Sequence, residues 1–369
     1  MVQMTGKPID DLLLRDWRPI AQVRAPVTQV LRSAVPSIDV HNHLGKWLCE
    51  SGEWLIEDVD ALLAVMDDCG VQTVVNLDGR WGDELTANLD RYDRAHPGRF
   101  VTFAHLDWAA AFAASAPDAV TAALLAQLDD AVTRGARGFK VWKDLGLTHR
   151  DATGALVLPD DERLRPVFAA AGERGLPILI HTADPVAFFT PLDAHNERID
   201  ELGEHPDWWF GGPGLPSFDR LMRALETLVA GTPGTTFIGA HVGCYAEDLG
   251  WVSRMLSTYP NFAVDIGGRI GELGRTPRAF ARLVADHPRQ VLFGTDAYPV
   301  GRQDYRQAFR FLETDDEAFG YAPGCGGAGG EVPPQGRWDI SAAALPYLVS
   351  PDVLADFYAG NARRLLHLT

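Results

Sequence analysis

The chain has 369 residues, a length that fits two average domains or one large α/β barrel. Hydrophobic residues make up 46% of it and charged residues 22%, which is typical of a globular protein with an ample core. The net charge of −17 argues against a nucleic-acid or anionic-membrane partner, because no basic stripe is available to neutralise phosphates.

Four scattered cysteines form no Cys-x-x-Cys pair, so reduced thiols are expected rather than a disulfide framework or a structural zinc site. No apolar run approaches the roughly 20 residues of a membrane span, and charges interrupt the apolar cluster near the N-terminus. We therefore expect a cytoplasmic protein that acts on a small molecule. Its Trp-rich loops favour a homodimer.

Residues 1–36, broken by Pro8, Pro19 and Pro26, predict an N-terminal arm packed on the main domain. From Ser37 onward, short β-branched runs alternate with longer helical segments. The predicted strands are 38–41, 73–77, 100–105, 138–141, 178–181, 236–241, 263–266 and 291–294. The predicted helices between them are 59–68, 84–95, 119–134, 162–174, 219–230, 249–258 and 279–286. Eight strands in this rhythm over roughly 260 residues predict a single (β/α)8 TIM barrel over residues 37–369.

Two long segments interrupt this rhythm, residues 182–217 after strand 5 and residues 298–338 after strand 8. Both follow the C-terminal ends of strands, the face on which barrel enzymes carry their chemistry, and both are expected to be loops. Residues 351–366 predict two short C-terminal helices, with Gly360-Asn361 as the break between them.

Polar residues recur at the C-terminal ends of the predicted strands. His41 and His43 alternate at the end of strand 1 and therefore share one face. His181 ends strand 5, His241 ends strand 6 and Asp296 follows strand 8. Each residue alone is more typical of a hydrogen-bonded side chain closing a strand, but a closed parallel barrel brings all these ends to one face. Imidazoles and a carboxylate that converge in this way suit a first-row divalent ion.

Five stretches, taken in order, make the chain resemble the amidohydrolase superfamily, in its amidohydrolase-related (type 2) branch of metal-dependent barrel enzymes. They are Asp39-Val40-His41-Asn42-His43, Ile180-His181-Thr182-Ala183-Asp184-Pro185, Gly239-Ala240-His241-Val242-Gly243, Phe293-Gly294-Thr295-Asp296 and Tyr358-Ala359-Gly360-Asn361-Ala362-Arg363. The resemblance implies that one divalent ion is bound by His41, His43, His181 and Asp296. It also implies that His241 acts beside that ion as an acid/base or orienting group.

Zn²⁺ is the expected ion, with Mn²⁺ or Fe²⁺ as alternatives, because this ligand set suits all three. In catalysis, Asp296 is expected to accept the proton of an attacking water, while His241 stabilises the oxyanion or passes on a proton. Asp39 precedes His41 by two residues on the same strand face. It either supports a ligand or caps a layer of the barrel.

Lys140 ends strand 4, and alternation directs its side chain inward. In two-metal members of the superfamily a lysine at this place is carboxylated and bridges the ions, whereas the type 2 branch generally uses one metal. We therefore expect an unmodified Lys140 that binds substrate or an anion, with a second metal as the alternative.

Other substrate contacts are expected from the loops that follow the strands. Arg80 follows strand 2 and Arg269 follows strand 7, and each can bind a carboxylate in a bidentate way or remain solvated. Trp142 is expected to line the pocket, and Asp184 and His195 are further candidates in the segment after strand 5. Additional aromatic walls are expected from Trp47, Trp208, Trp209, Phe210 and Tyr298.

The sequence thus predicts a metal-dependent hydrolase that attacks a lactone, ester or amide carbonyl of a small polar substrate. The alternative is a metal-dependent non-oxidative decarboxylase of an aromatic or enol acid, because the resembled branch contains both and the ligand set does not separate them. A barrel that keeps its metal only for structure or binding is a third reading, and the complete ligand set argues against it.

Overall fold

Eight parallel strands form the centre of the computed structural model, which describes residues 11–13, 22, 24, 26–320 and 339–368. The strands are β1 Ser37–Asn42, β2 Val71–Asn76, β3 Phe100–Thr102, β4 Phe139–Val141, β5 Ile178–Ile180, β6 Phe237–Gly239, β7 Phe262–Asp265 and β8 Val291–Leu292. All eight lie within two residues of the predicted starts, and their side chains are buried almost throughout.

The strands close into a barrel. β1, β2 and β3 pair in parallel in that order, and β4 to β8 form a second parallel run. Ala104 bridges to Phe139 and so joins β3 to β4. The amide of Val40 in β1 donates to the carbonyl of Phe293, just after β8, at 3.1 Å. The predicted (β/α)8 barrel is confirmed.

Helices surround the barrel. They are α1 Val59–Cys69, α2 Gly82–Leu89, α3 Trp108–Phe112, α4 Pro117–Arg134, α5 Asp144–Leu147, α6 Arg165–Glu173, α7 Ile199–Glu204, α8 Phe218–Gly231, α9 Ala240–Gly243, α10 Leu249–Thr258, α11 Ile270–Leu273, α12 Pro277–Asp286, α13 Arg302–Glu313, α14 Leu345–Leu348, α15 Pro351–Ala355 and α16 Asn361–Leu365. Of these, α5 and α9 are single irregular turns. Among the described residues, no helix is long and apolar enough to cross a membrane.

α1 shows how the sequence determines the two ends and the buried face of a helix around the barrel. The carboxylate of Asp58 accepts a hydrogen bond from the amide of Ala61 and caps the N-terminus. Gly70, at φ 80°, ends the helix in the left-handed conformation that glycine adopts without steric cost. Leu62 and Met66, four residues apart, are buried on one face. The helix therefore covers the barrel with one apolar side.

The segment after β8 contains a helix, α13, that the sequence pattern did not predict. Tyr305, Ala308, Phe309 and Leu312 recur at a spacing of three to four residues and are buried. The Gly-rich tract that follows dominated the composition of this segment and hid the helical period. Beyond α13, Phe319–Gly320 pairs antiparallel with Asp339–Ile340, and residues 321–338 lie outside the described residues.

The predicted break at Gly360-Asn361 is wrong. Gly360 has helical dihedral angles, and one continuous helical stretch runs from α15 through a π-type turn, Asp356–Gly360, into α16. A Cβ on Gly360 would lie 2.1 Å from Oδ1 of Asp356, so glycine is needed for space. Asn361 is buried and donates to the carbonyls of Pro288 and Val291. These two residues dock the helix on the barrel rather than end it.

The described end of the N-terminal arm contacts the barrel helices. Thr28 Oγ1 donates to Asp316 Oδ1 at 2.7 Å, and the amide of Ser33 donates to the carbonyl of Cys69 at 3.1 Å. Most of the arm lies outside the described residues, so its boundary at residue 36 stays a prediction.

A buried ion-pair group fastens the segment after β5 to the segment after β7. Arg198 donates to Glu201 Oε2 at 2.8 Å and also to Glu272 Oε1 in α11. All three side chains are more than nine-tenths buried. Nearby, the exposed pair Arg275–Glu197 spans the same two segments at 3.1 Å.

Replacing Arg198 by methionine is expected to lower the free energy of unfolding by about 3–5 kcal/mol, because two carboxylates would be left buried without their cation. Arg275→Met removes an exposed pair between the same segments and is expected to cost less than about 1 kcal/mol. Urea unfolding of the two variants measures the difference. Equal losses would show that the buried pair does not carry this connection.

Candidate functional site

The carboxyl ends of β1 and β8 bring His41, His43 and Asp296 together. Nε2 of His41 and Nε2 of His43 each lie 3.5 Å from Oδ1 of Asp296. Both imidazoles are fully buried, whereas the Asp296 side chain is 18% exposed. Two imidazole nitrogens and one carboxylate oxygen thus face one point, with the carboxylate on the side open to solvent.

His241 and His181 complete the cluster from β6 and β5. The His241 ring centroid lies 4.7 Å from that of His41 and 4.4 Å from that of His181. One ligand atom each from His41, His241 and Asp296 lie within 4.8 Å of one another. The tightest potential metal group therefore includes His241, which the sequence assigned to proton transfer, and leaves out His43 and His181.

Several buried polar atoms in this cluster lack a hydrogen-bond partner. They are His43 Nε2, His181 Nδ1 and Asp296 Oδ1, while His181 Nε2 has only its ion-pair contact with Asp184 Oδ1 at 3.3 Å. A buried polar atom left unpaired costs about 1–3 kcal/mol, and such atoms are rare in folded proteins. A divalent cation beside Asp296 Oδ1 would satisfy this oxygen and His43 Nε2, which lie 3.5 Å apart, and imidazole nitrogen with carboxylate oxygen is a donor set that zinc and manganese accept. The residues fit a metal ion.

Two buried carboxylates orient the β1 histidines. Nδ1 of His41 lies 3.0 Å from Asp265 Oδ2, and Nδ1 of His43 lies 2.6 Å from Asp78 Oδ1. Since a carboxylate only accepts, each Nδ1 carries the proton and donates, and each Nε2 keeps its lone pair toward Asp296. This tautomer is the one that binds a metal through Nε2.

Asp78 and Asp265 were not predicted as functional residues. Each stands at or just past the carboxyl end of a buried strand, the same signal that picked out His181 and Asp296. Applying that rule to every strand would have found both carboxylates, but not which histidine each one contacts.

His241 is oriented by the backbone after β7. Its Nδ1 donates to the carbonyl of Gly267 at 2.8 Å, which leaves Nε2 as the basic nitrogen. His241 at φ 58° and Asp296 at φ 54° both adopt the left-handed conformation that non-glycine residues rarely take. Strain of this kind concentrates at functional sites, where surrounding contacts hold it.

Burial keeps the imidazoles of His41 and His181 neutral. It lowers the pKa of His41 well below 6.5, with the nearby Lys140 adding to the effect, and lowers that of His181 to about 4. Burial also lowers the pKa of Lys140 to about 8, against the attraction of Asp296 and Asp265. Lys140 Nζ lies 3.4 Å from His41 Nε2. Neutral imidazoles are the form that binds metal ions.

The supporting carboxylates differ in their acidity. Burial raises the pKa of Asp265 to about 6, although the amide of Gly267 and Lys140 oppose the shift. Burial also acts to raise the pKa of Asp78, but the contact with His43 outweighs it and holds the pKa below its usual value.

Asp39 ties β1 to the end of β8. Its Oδ1 accepts from the amides of His41 and Thr295, and its Oδ2 accepts from the hydroxyls of Thr295 and Tyr305. It hydrogen-bonds to no imidazole ring among the described residues. Of the two roles that the sequence left open, the contacts match a group that holds the barrel layer beside Asp296.

The residues predicted to bind substrate differ in whether they contact the histidine cluster. Trp142 packs its ring 5.6 Å from that of His43 and 5.1 Å from that of His181, beside Lys140. Arg269 donates to the carbonyl of Gly268. Burial is the main cause that lowers the pKa of His241, and the positive charge of Arg269 lowers it further. Arg80 instead lies over the rings of Trp47 and Trp81.

Of the two candidates in the segment after β5, one lies at the histidine cluster and the other does not. Asp184 reaches the cluster, since its Oδ1 lies 3.3 Å from His181 Nε2 while its Oδ2 accepts from Lys143. His195 is exposed, and its amide is bonded to Asp193 within the same segment. Of the aromatic residues there, Trp208 stacks on His205 and Phe188, which makes it part of the segment's own packing.

The buried His105, which follows β3, is expected to make the free energy of unfolding depend on pH. Burial lowers its pKa to about 4, so the folded protein keeps it neutral while the unfolded chain binds a proton below about 6.5. Stability from this residue is complete above pH 6.5 and is lost, by about 3 kcal/mol, as the pH falls toward 4. The free energy of unfolding of wild type minus that of His105→Gln should decline across this range and be flat above pH 7. If the unfolding free energies of wild type and His105→Gln changed in parallel with pH, the pH dependence would not come from His105.

Solved structures with the same fold include two that hold a bound metal ion. A 2,6-dihydroxybenzoate decarboxylase complexed with 2,6-dihydroxybenzoate aligns with a TM-score of 0.53 and 16% identity, over 90% of this chain and 100% of that one. A dihydroxybenzoic acid decarboxylase from Polaromonas sp. JS666, with bound manganese and 2-nitroresorcinol, gives 0.53 and 14% over 90% and 97%. An amidohydrolase from Burkholderia multivorans with bound zinc gives 0.51 and 14% over 91% and 100%. At identities this low, the structural likeness shows a common fold and nothing more.

A search of curated protein sequences gave no significant match. The Amidohydro_2 family model, described as amidohydrolase, matches residues 38–368, which is nearly the whole chain and contains every residue of the cluster. The resemblance drawn from the five sequence stretches is confirmed, and the chain belongs to the amidohydrolase family in its type 2 branch.

Proposed function

We propose that the chain is a metal-dependent hydrolase that opens a lactone, ester or amide bond in a small polar substrate. The observation that carries the proposal is a pair of buried atoms without a hydrogen-bond partner, His43 Nε2 and Asp296 Oδ1, which lie 3.5 Å apart beside His41 at the carboxyl ends of the strands. Zn²⁺ is the proposed ion, with Mn²⁺ as the alternative, and both ions occur in related structures.

The proposed ligands are His41, His43, His181 and Asp296. When bound, a divalent ion polarises a carbonyl oxygen and lowers the pKa of a water molecule toward about 7. Asp78 and Asp265 fix the tautomers of the two β1 ligands, so that both imidazoles meet the ion as lone-pair donors.

Proton transfer is assigned to Asp296 and His241. A carboxylate has two oxygens, so Oδ1 of Asp296 can hold the ion while Oδ2 accepts a proton from an attacking water. His241 keeps a basic Nε2, because its Nδ1 donates to Gly267, and its ring packs at an angle against that of His41 and edge-to-face against that of His181. It can therefore take up a proton at Nε2, such as the one Asp296 receives from the water, and pass it to the leaving group.

Lys140, Trp142 and Arg269 are proposed to bind the substrate. Lys140 supplies a buried amine beside His41, suited to an oxyanion, and Trp142 provides an apolar wall that excludes water from one side. Arg269 places a cation beside His241 at the mouth of β7. Together they favour a substrate with a negative charge near the bond that is cleaved.

A metal-dependent decarboxylase is the second candidate. It is favoured by the indole of Trp142 beside His43 and His181, which suits a flat aromatic acid, and by the two related dihydroxybenzoate decarboxylases. In this reaction the carboxylate leaves as carbon dioxide, and a protonated Asp296 or His241 would supply a proton to the ring carbon.

The test is metal content followed by paired substrate screens. Protein purified without chelator is expected to hold about one divalent ion per chain by elemental mass spectrometry, and stripped protein should regain it. Zinc-loaded and manganese-loaded protein are then assayed for lactone, ester and amide hydrolysis, and for carbon dioxide release from hydroxybenzoates. Metal-dependent carbon dioxide release without hydrolysis would select the second candidate. Full activity of metal-free protein would overturn both.

A further inference from the structure

We propose that Arg80 and Lys46 form a second anion subsite, which holds a carboxylate at the far end of an extended substrate. The subsite rests on the proposed function, because it takes the reacting end of that substrate to lie at the metal centre. It lies between the loop after β1 and the start of α2, at the same end of the barrel as the histidine cluster.

A cavity of about 430 Å³ provides the space. Its lining combines two cations, two indoles and one carboxylate, and the lining residues are Lys46, Trp47, Gly52, Trp54, Arg80, Glu84 and Ala87. Lys46 Nζ lies over the Trp54 ring at 5.0 Å. Charged heads on apolar walls, in a cavity large enough for part of a ligand, are the features of a small-molecule site.

Arg80 is held in place from three sides. Its guanidinium lies 4.7 Å from the Trp47 ring and 4.1 Å from the Trp81 ring. Its Nη1 lies 3.4 Å from Nδ1 of His105, whose Nε2 donates to the carbonyl of Leu77 at 2.5 Å, so Nδ1 is the acceptor. Arg80 also has φ 57°, a strained conformation for a long side chain that surrounding contacts must hold.

Arg80 differs from the other described arginines that lie over aromatic rings, because it has neither a carboxylate nor a carbonyl partner. Arg91 donates to the carbonyls of Ile56 and Glu57, and Arg254 binds both oxygens of Glu226. The remaining members of this group bind carboxylates, and they are Arg163, Arg198 and Arg310. A half-buried guanidinium with unused donors is suited to a carboxylate supplied by a ligand.

The charges of the cavity favour a carboxylate over a phosphate. Lys46 and Arg80 bring two positive charges, and Glu84 brings one negative charge. The charges of Arg80 and Lys46 oppose the rise that burial causes in the pKa of Glu84, but among the described residues no ion pair within 4.0 Å joins this carboxylate to either cation. A net charge of +1 matches a singly charged carboxylate better than a doubly charged phosphate.

Two indole rings connect the subsite to the metal centre. Trp47, under Arg80, packs edge-to-face against Trp142 at 5.0 Å, and Trp142 packs against His43 at 5.6 Å. A ligand that contacts both ends must therefore run along this aromatic wall. The geometry points to an extended substrate with a carboxylate remote from the bond that reacts.

Isothermal titration of metal-loaded protein tests the proposal. The probes are the linear dicarboxylates from succinate to suberate and the monocarboxylates of equal length. The dicarboxylate long enough to reach both ends is expected to bind more tightly than its monocarboxylate. Arg80→Met should weaken that dicarboxylate by roughly tenfold to a hundredfold, the usual effect of losing a charge-assisted hydrogen-bonded pair. Arg254→Met, which also removes an arginine from an indole, should bind all probes as wild type does.

The variants and the metal-free protein separate the two proposals. Lys46→Met, which leaves the Arg80–His105 contact in place, should weaken the same dicarboxylate if Arg80→Met fails to fold. Unchanged binding in both Arg80→Met and Lys46→Met would overturn the subsite and leave the metal centre untouched. Probe binding that needs Arg80 but is unaffected by metal removal would support a carboxylate site at Arg80 and overturn its connection to the metal centre. Tighter binding of 3-phosphonopropionate than of any dicarboxylate would overturn the assignment to a carboxylate.

Discussion

Asp296→Asn is expected to weaken divalent-metal binding more than a hundredfold and to remove catalytic activity, while the metal-free protein unfolds as wild type does. Asparagine has the same shape but lacks the negative charge that binds the ion, and it cannot accept a proton from water. The expected loss exceeds the 10- to 100-fold that removal of a group supporting a ligand costs. Competition with a chromophoric chelator measures the affinity, and thermal unfolding measures the stability.

Asparagine is a well-matched replacement at this position for two structural reasons. Asp296 has φ 54°, and asparagine is among the few side chains that tolerate the left-handed region. Its Oδ1 has no hydrogen-bond partner, so no bond is lost there. Asp67→Asn, at an exposed carboxylate beneath the barrel, is the control and should bind metal normally. Wild-type metal affinity in Asp296→Asn would show that Asp296 is not a ligand.

The barrel and the positions of its polar residues could be predicted because both are local signals. Short buried strands alternating with amphipathic helices set the fold, and α10 was predicted over Leu249–Thr258, the bounds that the structure gives. His41 and His43 share a face because strand periodicity is two. Their convergence with Asp296 follows from closure of the barrel alone.

The contacts that orient these residues could not be predicted in the same way. His41 meets Asp265 across 224 positions of sequence, and His43 meets Asp78 across 35. Strand order says that the ends lie on one face, but which carboxylate reaches which nitrogen depends on twist, register and side-chain rotamer. Gly360 could not be predicted for the same reason. Glycine is needed there because a larger residue would collide with Asp356, and this contact is known only from the folded chain.

Asp265→Asn is expected to weaken metal binding about 10- to 100-fold without changing any proposed ligand, because it disturbs the tautomer of His41. All the groups around this carboxylate are donors. Oδ2 lies 3.0 Å from His41 Nδ1, and Oδ1 accepts from the amides of Gly267 at 2.8 Å and His241 at 3.3 Å. An asparagine has only one acceptor oxygen, so its NH₂ group must face one of these donors.

Both orientations of the new amide lead to a measurable defect. If the NH₂ group faces His41, the imidazole must move its proton to Nε2, and the nitrogen proposed to bind the ion no longer has a lone pair. If the NH₂ group faces the backbone, the bonds to Gly267 and His241 are lost and the free energy of unfolding falls instead. Spectra of ¹⁵N-labelled histidine report which nitrogen is protonated and so distinguish the two.

Asp39→Asn provides the matched control, at an equally buried carboxylate in the same part of the barrel. At Oδ2 two of its partners are the hydroxyls of Thr295 and Tyr305, which can rotate and accept from an amide. The third is Asn42 Nδ2 at 3.2 Å, which also donates to Thr295 Oγ1 at 3.1 Å and keeps that bond, so the exchange is tolerated there. The metal affinity of Asp39→Asn is therefore expected to stay within a few fold of wild type. If Asp39→Asn and Asp265→Asn lose affinity equally, the effect comes from buried charge in general. A loss confined to Asp265→Asn, with the proton of His41 moved to Nε2, would show that this carboxylate acts through the imidazole.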